Sequence, residues 1–181
     1  MAQRVGREMA KKFSCVKLVS GPRHLGLVPQ GIDDVLADGR TRYFMDDDPR
    51  ALTDLEVTPL ERLNPYKAYV TITYGCDRFC SYCIVPSVRG RLQSRDRGAT
   101  LDEMTALAAS GVTEITLLGQ NVDAYGKDKK DGYGFASLLS DASKVAGIRR
   151  RRFATSHPRD FDEDILAVMA ALAGVRLKAG R

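Results

Sequence analysis

The sequence predicts an α/β chain, and three observations carry the prediction. Short runs read as strands at Tyr69–Thr73, Glu114–Leu118 and Arg151–Thr155, the first of them rich in β-branched and aromatic residues. Segments with helical periodicity follow each run, at Leu101–Ala109, Phe135–Val145 and Phe161–Leu172. Strand and helix therefore alternate, and alternation implies parallel strands joined by right-handed crossovers. The chain shows no internal repeat and no low-complexity tract.

Taken in order, residues 4–13 read as a helix, with Val5 and Met9 at helical spacing. Cys15–Val19 reads as a short strand ended by Gly21-Pro22. Leu25–Ala37 carries Leu25, Val28, Ile32, Val35 and Leu36 on a helical face, which Pro29 and Gly31 weaken in the middle. Asp46–Asp54 is acidic, contains Pro49 and reads as a linker. The expected division is residues 1–43, a linker at 44–61, and a better organised region at 62–181. In that region Thr100 is the expected N-cap of the first helix, Glu103 stands at the capping-box position, and Gly111 ends the helix.

A chain of 181 residues can bury a real core, roughly 70% of the surface its unfolded form exposes. It is 44% apolar and 28% charged, as globular chains are. No apolar run approaches the ~18 residues of a membrane span, and Met1-Ala2-Gln3-Arg4 lacks the apolar core of a secretory signal. A cytoplasmic location without a membrane is expected. The net charge of +5 suits an anionic partner such as nucleic acid, as it suits many enzymes. Three of the four cysteines, Cys76, Cys80 and Cys83, fall in one short loop. That reads as metal binding rather than a disulfide framework.

The loop Gly75-Cys76-Asp77-Arg78-Phe79-Cys80-Ser81-Tyr82-Cys83 has CxxxCxxC spacing and directly follows the first strand of its region. Three thiolates hold three irons of a cubane 4Fe-4S cluster and leave the fourth iron open to a small molecule. The carboxyl end of a parallel strand is also where α/β folds bind ligands. A structural zinc site is the competing reading, with Cys15, His24 or His157 as fourth ligand, although zinc motifs usually come as two spaced pairs. Unrelated buried cysteines are the third reading.

With Tyr82 before its last cysteine, this motif resembles the signature of the radical S-adenosylmethionine (SAM) enzymes. The resemblance implies that SAM chelates the open iron, that one electron cleaves it to methionine and a 5′-deoxyadenosyl radical, and that this radical abstracts hydrogen from carbon. Tyr82 would line the adenine side, where simple packing is the alternative. Ile84–Arg91 with Gln93-Ser94-Arg95 resembles the methylthiotransferases, while Leu117–Val122, Ala124-Tyr125-Gly126 and Phe153–Pro158 resemble their tRNA branch. The resemblance implies a remnant of the family's N-terminal α/β domain at 1–43. It implies about three strands of a partial (β/α) radical SAM barrel at 62–181.

It further implies 2-methylthiolation of N6-dimethylallyladenosine beside the tRNA anticodon. Another tRNA base or a ribosomal protein is the alternative substrate, and a non-catalytic zinc-stabilised RNA-binding module the alternative class. The implied cofactors are SAM and one 4Fe-4S cluster. The implied partners are tRNA and an electron donor such as flavodoxin or ferredoxin, with a monomer as the family's usual state. The family's second cluster has no cysteines here: Cys15 falls at no matching position and reads as a small core residue. The later barrel strands and the family's small RNA-binding TRAM domain have no counterpart either. A fragment that makes no methylthio product alone is therefore expected.

Gly119, Gln120 and Asn121 end the second strand of that region. By resemblance they approach the SAM amino group, the glycine by close backbone approach and the amides without adding charge; an ordinary turn is the alternative. Ser156, after the third strand, is assigned to SAM and His157 to substrate, although a lone histidine is often structural. Arg89, Arg91 and Arg95 are candidates for tRNA phosphates, with Arg78 and Arg97 near them. Surface solvation competes for each. Arg149–Arg152 is the weaker cluster, because alternate members face opposite sides of a strand. No catalytic residue is assigned, and His24 receives no role.

Overall fold

The computed structural model describes residues 2–22, 24–45, 62 and 64–172, and the backbone of 175–177. The chain divides into two compact units, Met1–Leu60 with Tyr82–Gly90, and Glu61–Ser81 with Arg91–Arg181. The expected linker falls almost wholly on residues 46–61, outside the described ones.

In the first unit, α1 (Ala2–Lys12) packs on β1 (Leu18–Ser20), α2 (Val28–Asp38) follows a 3-10 turn at Leu25–Leu27, and β1 pairs in parallel with β2 (Arg42–Phe44). Close packing explains the glycines: a Cβ at Gly6 would meet Val19 at 2.3 Å, and one at Gly31 would meet the Phe44 ring at 2.4 Å. Gly31 is thus a packing device rather than a weak point of α2. Pro29 lies in the helix's first turn, where a missing N–H costs nothing. Cys15 departs from expectation and is exposed, because the strand begins only at Leu18 and Cys15 lies in the turn after α1. This unit also contains α3 (Val85–Arg89), a helix not expected from sequence.

The second unit is built on a parallel sheet of β3 (Lys67–Thr71), β6 (Glu114–Leu118), β7 (Arg150–Phe153) and β8 (Val175–Leu177), in that spatial order. The strand β8, which pairs with β7, was not foreseen. The first expected strand breaks at Ile72, and its tail becomes β4 (Thr73–Tyr74), which pairs antiparallel with β5 (Gln93–Ser94). The crossovers carry α4 (Arg97–Ala109), α5 (Phe135–Ser143) and α6 (Glu163–Ala171). Helix α4 starts one turn earlier than predicted. Asp96 caps it by accepting the Ala99 N–H at 2.9 Å, while Thr100 lies inside the helix and donates to the Asp96 carbonyl at 2.7 Å.

Register divides the sheet into two unlike faces. Val70, Leu117 and Phe153 share one face, all fully buried, and join Met104, Leu138, Leu139 and Ile165 in the core. Each such side chain contributes about 1.5–3 kcal/mol on burial. The other face is polar: Lys67, Glu114 and Arg150 stand in one row, and Tyr69, Thr116 and Arg152 in the next. Arg150 donates to Glu114 at 2.8 Å and Arg152 pairs with it at 3.0 Å. Arg151 faces the helices instead, donating to the Ala142, Ser143 and Val145 carbonyls at 3.0, 2.9 and 3.3 Å. It thereby satisfies the C-terminal end of α5. The Arg150–Arg152 run is therefore accounted for by the fold.

Candidate functional site

The carboxyl ends of β3, β6 and β7 form one rim, with the cysteine loop after β3, Gly119–Asn121 after β6 and Thr155–His157 after β7. The residues between Cys76 and Cys80 anchor the loop. Asp77 accepts the Leu92 N–H at 3.1 Å and pairs with Arg91 at 2.8 Å, and Arg78 forks onto Asp160, with its Nε 2.7 Å from Oδ2. Cys76 is buried, while Cys80 and Cys83 are partly exposed, and none of the four cysteines is in a disulfide. Among the described residues, no three His, Cys, Asp or Glu side chains are gathered closely enough to hold a metal ion.

Two carboxylates missed in the sequence organise the rim. Asp160 has a fully buried carboxylate that accepts from Arg78, from Lys127 Nζ at 2.8 Å and from Asn121 Nδ2 at 2.6 Å. Burial pushes its pKa up, but hydrogen bonds from Arg78, Lys127 and Asn121 outweigh that and hold it well below the usual carboxylate range. Asp123, also buried, accepts the Ser156 hydroxyl at 3.1 Å and the His157 N–H at 2.8 Å. Burial dominates there and raises its pKa. Asp123 falls in the gap between two segments singled out in the sequence and Asp160 just after a third, and their donors lie 33 to 82 positions away.

The predicted residues separate accordingly. Asn121 is 2% exposed; its amide is oriented by Asp160, which leaves Oδ1 as a buried acceptor without a partner. Gln120 Oε1 is a second such acceptor. Gly119 is required by packing, since a Cβ there would lie 1.9 Å from Thr73 Oγ1. Thr155 next to Ser156 has φ +69°, a costly conformation for a β-branched residue, held by its hydroxyl donating to the Gly119 carbonyl at 2.6 Å. His157 lies with Nε2 3.5 Å from Cys80 Sγ.

Arg95 departs from the expected phosphate contact. It is 9% exposed and ion-paired with Glu103, so burial removes it from a bulky polyanion. Arg91 is exposed, over the Phe79 ring at 5.3 Å. Arg89 is exposed on α3, and Tyr82 is 90% exposed. Arg78 is committed to Asp160, and Arg97 stacks 4.7 Å over Tyr133.

Residues 70–179 match the family model of the Radical SAM superfamily, and the chain belongs to that superfamily. It is also homologous over most of its length to tRNA methylthiotransferases. The tRNA-2-methylthio-N(6)-dimethylallyladenosine synthase of Hydrogenobaculum sp. (strain Y04AAS1) is 44% identical over 172 residues, which are 95% of this chain and 39% of that protein. The protein of the same name from Trichlorobacter lovleyi is 46% identical over 176 residues, 96% of this chain and 39% of its own length. The chain thus spans 39% of the length of these relatives. A solved radical S-adenosylmethionine methyltransferase, TsrM from Kitasatospora setae, aligns over 62% of this chain and 21% of its own, with TM-score 0.48 and 23% identity. No helix among the described residues is long and apolar enough to cross a membrane.

Proposed function

We propose that this chain is the cluster-bearing part of a radical SAM methylthiotransferase that modifies N6-dimethylallyladenosine in tRNA. The observation that carries the proposal is the CxxxCxxC loop, with its three cysteines outside any disulfide, at the carboxyl end of the first strand of the parallel sheet. Thiolates are the soft donors an iron–sulfur cluster requires, and Cys76, Cys80 and Cys83 would hold it. When bound, such a cluster supplies the electron that starts SAM cleavage.

The donor chemistry of the rim also suits SAM. Asn121 Oδ1 and Gln120 Oε1 are unpartnered acceptors, and a buried acceptor without a donor is costly. An ammonium group is a donor that either acceptor could take. Ser156 is held by Asp123 and serves as a neighbouring polar contact. Tyr82, being exposed, offers its ring to an adenine. Arg89 and Arg91 are the exposed guanidiniums that suit tRNA phosphates, and flavodoxin or ferredoxin is the electron donor of the proposed reaction.

Anaerobic reconstitution tests this reading. The chain should become brown and bind about four irons, with matching sulfide. Each of C76A, C80A and C83A should lose most of that iron, because one ligand position of the cluster is already open. One tightly bound zinc per chain, or full iron retention in any of the three variants, sinks the assignment.

A further inference from the structure

We infer that His157 is a positioning residue for Cys80: its Nε2–H donates to the Cys80 sulfur and tunes that thiolate as a cluster ligand. The inference rests on the proposed role of Cys80 in holding a cluster. It departs from the sequence expectation, which gave His157 to the substrate with a structural role as the alternative.

The hydrogen bonds on the ring fix its tautomer. The Arg159 N–H points at His157 Nδ1 at 3.2 Å, and an N–H can only donate. Nδ1 therefore carries the lone pair, and the proton of the neutral imidazole resides on Nε2. Nε2 faces Cys80 Sγ at 3.5 Å, within hydrogen-bond reach of sulfur. Both ring nitrogens are thus engaged, which leaves neither to read an RNA base.

The backbone of His157 is held as firmly as the ring. Its N–H donates to Asp123 Oδ2 at 2.8 Å, and its carbonyl accepts from Asp160 N at 2.8 Å and Phe161 N at 3.1 Å. Pro158 follows and biases His157 toward extended backbone. A strained Thr155, two residues earlier, brings the segment back over the rim. A side chain clamped in this way can present a proton to one sulfur lone pair in a fixed direction. Such a bond withdraws charge from a ligating thiolate, which stabilises the reduced cluster and raises its potential.

The experiment compares the reconstituted wild-type chain with H157F and H157Q. Iron and sulfide content are measured, and the cluster is titrated redox-chemically while its EPR signal is followed. H157F should keep its iron but shift to a more negative midpoint potential. H157Q, whose amide can place a donor near the same point, should recover most of that shift. It also serves as the second variant if H157F folds poorly by circular dichroism. An unmoved potential in H157F overturns the inference, and so does weaker binding of a prenylated tRNA with an unmoved potential. A wild-type chain that takes up no iron and sulfide would instead overturn the assignment of Cys80 itself, and this inference with it.

Discussion

Asp160 ties the cysteine loop to the strand ends, and its chemistry sets a measurable pH dependence. The unfolded carboxyl titrates near the ordinary value of about 3.9. In the fold it lies well below that, because the bonds from Arg78, Lys127 and Asn121 outweigh burial. An acid with a depressed folded pKa contributes stability above its unfolded pKa and loses it as pH falls through the folded one. Arg78 and Lys127 keep 33% and 45% of their side-chain surface in water, so they are not stranded when the carboxylate goes. D160N should therefore cost about 2–3 kcal/mol at neutral pH, in the range of lost charged hydrogen bonds. Thermal melts should show a constant gap from wild type between pH 7 and about 5, narrowing below about 4. A gap undiminished at pH 2 would mean that the charge is not its source. This residue was invisible in the sequence. An aspartate in Pro158-Arg159-Asp160 looks like a surface turn residue, and only the fold brings Arg78 to it from the loop after β3, two strands away.

At the level of elements, the rim is set by how closely the end of β6 passes the β3–β4 junction. Thr73 is fully buried, and Gly119 is the one residue type that clears its hydroxyl. G119A forces an overlap at 1.9 Å, and overpacking of this kind costs about 1–3 kcal/mol. T73A removes the obstructing oxygen, so the double variant should recover much of the loss. Urea unfolding of the four proteins in a double-mutant cycle measures the coupling, and simple additivity would disprove the packing account. Strand β3 and the helices α5 and α6 of the second unit are legible because burial alternates cleanly along β3 and because α5 and α6 pack periodic apolar faces on the core, whereas β8 is not expected from sequence. The two-residue strands β4 and β5 were not, since so short a run carries no period. The start of α4 was misjudged because Asp96 and Thr100 are both good N-caps. The choice between them depends on Arg95 pairing with Glu103, which withdraws Glu103 from a capping box. The Arg151–Thr155 expectation locates the strand but runs two residues past its end at Phe153, and it leaves open why a core strand should begin with arginines. The answer is that Arg151 caps α5 while its neighbours on either side surround Glu114.

For the second unit as a whole, the consequential feature is an open parallel sheet with one polar face. Helices α4, α5 and α6 follow β3, β6 and β7 and supply the core of the apolar face. Parallel sheets are ordinarily covered on both faces, yet here the second face bears Lys67, Tyr69, Glu114, Arg150 and Arg152. That composition tolerates water, so the polar face alone does not drive aggregation. The edges are different. Among the described residues β3 and β8 each pair on one side only, and an unpaired edge offers its N–H and carbonyl groups to another chain. On β3 the 64%-exposed Tyr69 adds apolar surface beside those groups. The chain should therefore self-associate as concentration rises, in a reaction that salt weakens little because backbone bonds rather than surface charges drive it. Sedimentation velocity over a concentration series in low and high salt would show this. Y69K should shift the distribution toward monomer, since a lysine on an edge strand repels its copy, while changing stability by no more than about 0.5 kcal/mol. A wild-type chain that remains monomeric throughout the series would show that the β3 and β8 edges are closed to other chains.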